Sequence, residues 1–140
     1  HERVVDLLVV HGAEINLLDS NGESALMYAA GEGLERMVEL LIRRGAEINL
    51  QSTNGFTALM YAASFRDERV VELLLQHGVE INLLDSNGES ALMYAAGEGL
   101  ERMVELLIRR GAEINLQTSD GGTALMPAAR NGHEQVVDLL

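Results

Sequence analysis

No cysteine and no tryptophan occur among the 140 residues, and proline occurs once, at Pro127. Without cysteine there is no disulfide framework and no thiolate for catalysis or metal binding, which fits an intracellular, reducing compartment such as the cytoplasm. Although 47% of the residues are hydrophobic, no apolar run reaches the roughly 18 residues of a membrane span. Basic residues are scarce too: 10 Lys and Arg face 22 Asp and Glu, a net charge of −12. Such a surface repels phosphate backbones, which excludes nucleic acid as a partner and favours a basic one. No signal-peptide pattern is present, and a chain opening on His1 reads as a trimmed fragment.

What the chain has in abundance is itself. Gly22, Gly55, Gly88 and Gly121 fall 33 residues apart, as do Gly12, Gly45, Gly78 and Gly111, and Asn16, Asn49, Asn82 and Asn115. A period of this length marks stacked units, none of which can bury its apolar face alone. A second period lies inside the first. Residues 14–51 are identical, letter for letter, to residues 80–117, whereas units 19–51 and 52–84 agree at only 19 of 33 positions. An uninterrupted identity with sharp edges suggests either an engineered scaffold assembled from reused modules, by consensus or de novo design, or a recent gene conversion.

Within the unit 19–51, Asp19-Ser20-Asn21-Gly22 is a turn signature whose glycine supplies a positive φ. Ser24 is a helix N-cap, matched by Thr57, Ser90 and Thr123, and the run 25–30 that follows is rich in helix formers. Gly33 is the expected left-handed stop. Residues 34–44 form a second helix, with Met37, Val38, Leu40 and Leu41 on one face. Residues 46–50 read as an extended run into the next turn. Two units depart from the pattern. Arg66 stands where Gly33 and Gly99 stand, so the chain must turn there with a β-carbon at a cost of about 1 kcal/mol. Pro127 replaces Tyr28, Tyr61 and Tyr94, which predicts a distorted or frayed helix.

Signals of catalysis are weak. Gly31-Glu32-Gly33 ends a helix instead of following a strand, unlike a dinucleotide fingerprint. Asp19-Ser20-Asn21-Gly22-Glu23 places its glycine too early for a calcium loop. His1, His11, His77 and His133 are scattered, and no serine sits at a nucleophile elbow. Glu14, Glu47, Glu80 and Glu113 recur once per unit as surface charge, while the four periodic asparagines suit bonds to loop backbone across units. No cofactor, no metal and no enzymatic activity are expected from this residue set.

The pattern G-x-[ST]-A-L-M-x-A-A followed by V-x-L-L-x-x-x-G-[AV]-E-I-N resembles the ankyrin repeat over the whole chain. The family's usual Thr-Pro-Leu-His is Ser24-Ala25-Leu26-Met27 here, which replaces a polar link between units by methionine packing. The resemblance implies an all-α solenoid of helix-turn-helix units with projecting β-hairpin loops. It divides the single domain 1–140 into partial units 1–18 and 118–140 and full units 19–51, 52–84 and 85–117. It also implies a non-enzymatic protein–protein interaction module that binds through the hairpin tips and the exposed ends of the first helices. Those positions map to Ser20, Asn21, Glu23 and Glu32, then to Thr53, Asn54, Phe56, Tyr61 and Phe65. In the third full unit they map to Ser86, Asn87, Glu89 and Glu98. Both phenylalanines fall at exposed-type positions of the middle unit, either as an apolar centre rimmed by glutamates that suits a basic or amphipathic segment with an apolar anchor, or with Phe65 folded back at Arg66 and Phe56 packed on its own hairpin. Apolar residues at both ends, Val4, Val5, Leu7, Leu8, Leu139 and Leu140, raise the further expectation of end-to-end self-association or covering residues.

Overall fold

The computed structural model describes all 140 residues, in nine helices and no strands. Four short helices, α2 (Ala25–Gly31), α4 (Ala58–Ser64), α6 (Ala91–Gly97) and α8 (Leu125–Arg130), stack side by side as one layer. Five more, α1 (Glu2–Val10), α3 (Glu35–Arg43), α5 (Glu68–Gln76), α7 (Glu101–Arg109) and α9 (Glu134–Leu139), stack as a second layer behind them. Each first-layer helix pairs with the second-layer helix that follows it in sequence. This is the expected solenoid.

The first-layer helices begin where a hydroxyl can cap them. Ser24, Thr57 and Ser90 lie in extended backbone, and each Oγ accepts the amide of the methionine three residues on, at 3.2 to 3.3 Å. They end on Gly33 and Gly99 at φ +67° and +72°. There the amides of Leu34 and Leu100 reach back to the carbonyls of Ala29 and Ala95 at 3.0 Å, closing a Schellman motif. Glycine is needed at position 33 twice over, because a Cβ there would also collide with the carboxylate of Asp67. That carboxylate caps α5, accepting the Val70 amide at 2.9 Å, whereas Leu34 and Leu100 give α3 and α7 no side-chain cap. Arg66 does adopt the left-handed conformation, at φ +65°.

The core runs between the layers. Ala29, Ala30, Ala62, Ala63, Ala95 and Ala96 are at most 3% exposed, and their small side chains let first-layer helices approach closely. Leu26, Leu59 and Leu92 project from them onto Leu41, Val71, Leu74, Val104 and Leu107 of the second layer, all buried in one cluster. Each such leucine is worth about 2 kcal/mol of burial, shared between neighbouring units. In α1 no residue is fully buried, and Val4, Leu7, Leu8 and Val10 are each more than half exposed.

Three expectations are corrected. Residues 46–50 are not one extended run: the chain turns at Ile48 and Asn49, and no strand ladder forms. The projecting loops are held instead by two backbone bonds within each tip, such as Ser52 N to Phe56 O and Gly55 N to Ser52 O, both at 2.8 Å. Thr123 does not cap α8. A proline has no amide to give the carbonyl four residues back, and its ring crowds that turn. The helix accordingly starts one residue late, with Ala124 at its N-cap position in helical backbone. This places Pro127 third in the helix, where an amide would have no intrahelical partner in any case.

A candidate binding face of loop tips and first-layer helices

The loops are fastened to one another as well as across themselves. Thr53 N donates to Asn21 O at 3.0 Å, Ser86 N to Asn54 O at 2.9 Å and Ser119 N to Asn87 O at 3.4 Å. Gly55 permits this approach. Its φ is +78°, and a Cβ there would lie 2.8 Å from the Cα of Asp85 in the next loop. At the base of the loops the periodic asparagines act as expected. Asn16, Asn49 and Asn82 accept the amides of Glu47, Glu80 and Glu113 through Oδ1 at 2.8 Å. Asn16 and Asn82 also donate through Nδ2 to the carbonyls of Gly45 and Gly111. The tip residues Ser20, Asn21, Thr53, Asn54, Ser86 and Asn87 are all exposed and lie in one row.

Beside the tips runs a ladder of phenols and carboxylates that sequence reasoning missed. Tyr28 Oη donates to Asp19 Oδ2 at 2.6 Å and Tyr94 Oη to Asp85 Oδ2 at 2.5 Å. In the middle unit Ser52 occupies the aspartate's place, and the Tyr61 hydroxyl crosses to Glu23 of the preceding unit instead. A carboxylate nine residues before Tyr28 and Tyr94, absent before Tyr61, was the signal available in the sequence. These bonds hold the phenols neutral. Tyr28 titrates above its ordinary range because Asp19 and then Glu23 accept from it. Burial first, and then Glu23, push Tyr61 up to about 12. Burial, Asp85 and Glu89 raise Tyr94. In return, the Tyr28 hydroxyl and the Glu23 amide keep Asp19 below the usual carboxylate range.

Phe56 does not stand free. It is half-buried, with its ring 5.1 Å from that of Tyr61 and 5.3 Å from that of Tyr94, so it joins two units. Tyr61 is likewise half-buried. Phe65 is the exception at 65% exposure, lying along Gly31 of the preceding unit with most of its ring in solvent. Glu32 and Glu98 are exposed at the same helix ends, and Glu98 Oε2 pairs with Arg66 Nη2 at 2.6 Å. Glu23 and Glu89 are half-buried beneath the tips. The face therefore carries two exposed aromatic rings among acidic side chains, Tyr28 tied by its hydroxyl to Asp19 and Phe65 untied, set on a row of ordered loop tips.

No three His, Asp or Glu side chains converge where they could hold a metal ion, and no helix is long and apolar enough to cross a membrane. The sequence profile of ankyrin repeats (3 copies) matches residues 1–85 and again 77–140. The chain belongs to the ankyrin repeat family. Ankyrin repeats are generally protein–protein interaction modules and typically non-enzymatic. None of the curated proteins matches the chain. In this ankyrin array the positions expected to meet a partner fall on one continuous side, and the aromatic ones divide into Phe56 and Tyr61, half-buried between units, and Phe65, which touches the preceding unit at Gly31 with most of its ring in solvent.

Proposed function

We propose that residues 1–140 are one ankyrin domain, with partial units 1–18 and 118–140 flanking full units 19–51, 52–84 and 85–117. It binds another protein along the loop tips and first-helix ends, without catalysing a reaction. The observation that carries this reading is Phe65, a ring left 65% exposed on a face otherwise ordered by tip-to-tip and phenol–carboxylate bonds. An apolar anchor inside a charged rim is the anatomy of a binding hot spot. The partner segment is basic or amphipathic with an apolar anchor of its own, complementing Glu32, Glu98 and the net charge of −12. Ser20, Asn21, Thr53, Asn54, Ser86 and Asn87 supply the polar rim, Glu23 and Glu89 the charge beneath it, and Phe56 and Tyr61 the floor. The test compares proteins captured by the parent chain with those captured by Phe65→Ala. A purified partner so found should bind Phe65→Ala about 5- to 150-fold more weakly, the equivalent of ~1–3 kcal/mol, at an unchanged melting temperature. Unchanged affinity would refute the site. The identity of residues 14–51 with 80–117 favours a second reading, an engineered scaffold with no natural partner. Under it the parent enriches nothing over the variant.

A further inference from the structure

The chain contains its own comparison between a filled and an unfilled site. Because residues 80–117 duplicate 14–51, the unit 85–117 offers the last unit the same side chains that the unit 19–51 offers the middle one. On the first of these faces sits Tyr61, its hydroxyl on Glu23. On the second, 66 residues later, Pro127 stands in place of Tyr61 and Asn131 in place of Phe65, and Glu89 receives no phenol from the unit that follows it. A cleft of about 700 Å³ opens there between the two loop tips and α8, with Glu89, Met93, Thr123, Met126, Pro127 and Arg130 in its walls. Gly122 likewise stands where Phe56 stands 66 residues earlier, so both half-buried rings of the first face are missing from the second.

We infer that this cleft is a docking site for a tyrosine side chain of a partner protein, whose phenol takes on Glu89 the place that Tyr61 takes on Glu23. The inference deepens the binding role proposed above and rests on it. The volume lies within the range of ligand sites, roughly 300–1,000 Å³, and admits a ring together with the chain that carries it. Met93 and Met126 supply polarisable apolar walls of the kind that aromatic rings favour. Glu89 supplies a charged acceptor for the hydroxyl, a stronger bond than one between neutral groups. A site built around an acceptor for a hydroxyl discriminates against the side chain lacking it, because the acceptor is then covered and left unpaired. Glu89 and Asp120 outnumber Arg130 among the charges at the cleft, which disfavours a phosphorylated tyrosine.

The experiment uses the full chain with labelled amides and methionine methyls, and the probes N-acetyltyrosinamide, its phenylalanine counterpart and its O-phosphorylated form. The tyrosine probe should shift the Glu89, Thr123 and Met126 amides and the Met93 and Met126 methyls saturably, with binding at least ~10-fold weaker for the phenylalanine probe and none for the phosphorylated one. Glu89→Gln should weaken the tyrosine probe alone. Pro127→Tyr, which fills the cleft from within, should abolish binding while leaving a folded spectrum. Equal binding of the tyrosine and phenylalanine probes, shifts centred elsewhere, no saturable shift up to the solubility limit, or binding that survives Pro127→Tyr would each overturn the assignment. Those failures would leave the Phe65 test untouched, since the probes need no partner protein.

Discussion

Replacing Pro127 by tyrosine should stabilise the protein, and the other three units say by how much. In each, the tyrosine amide donates to the capping residue's carbonyl, at 3.2 Å for Tyr28, 3.1 Å for Tyr61 and 3.2 Å for Tyr94, beneath a hydroxyl cap that Thr123 fails to make. Restoring such a cap is worth about 0.5–2 kcal/mol and one intrahelical bond about 1 kcal/mol. Against this, the unfolded chain regains freedom that proline had removed, about 0.4–1 kcal/mol. The balance is roughly 1–2 kcal/mol in favour of the variant. At this chain length that corresponds to a rise in melting temperature of roughly 3–7 °C. Circular dichroism measures the melt, and amide exchange locates the gain, which should appear at residues 124–130. An unchanged or lower melting temperature, with exchange over α8 unaltered, would refute the argument that proline displaces the cap and shifts the helix start.

Deleting residues 52–84 joins two units of nearly the same face, so the product should remain a helical, cooperatively folding solenoid of disproportionately lower stability in urea; an unfolded product would contradict stacking as the source of stability. Stability should also fall as pH rises from 10 toward 12, because folding raises the Tyr61 phenol from 10.0 to about 12, so within that window the native state holds a proton that the unfolded state has lost. Its contribution is complete below pH 10, and phenolate absorbance appearing at the ordinary pH in the folded protein would rule the ladder out.

The architecture could be read from the chain because its signals are local and repeated. Gly22, Gly33 and Gly99 announce backbone that glycine adopts most readily, and Ser24, Thr57 and Ser90 announce helix starts; both hold at those positions. Thr123 failed because its competence depended on a residue four positions later. Position 48 failed because apolar residues flanking a turn look extended in a pattern of types. Phe56 falls at an exposed-type loop position, yet it packs between Tyr61 of its own unit and Tyr94, 38 residues away. The crossing of Tyr61 to Glu23 is likewise a contact between units, which periodicity can align but cannot orient.

The identity of residues 14–51 with 80–117 also bears on how the molecule refolds. The unit 52–84 recognises the face of 19–51, but a side-chain copy of that face exists on 85–117 of every neighbouring molecule. Within residues 1–140 the unit 118–140 covers it, and that unit starts with an uncapped helix of six residues. A chain refolding beside others is thus offered two equivalent faces for its middle unit, its own 19–51 and a neighbour's 85–117, and dilution during refolding would favour the first.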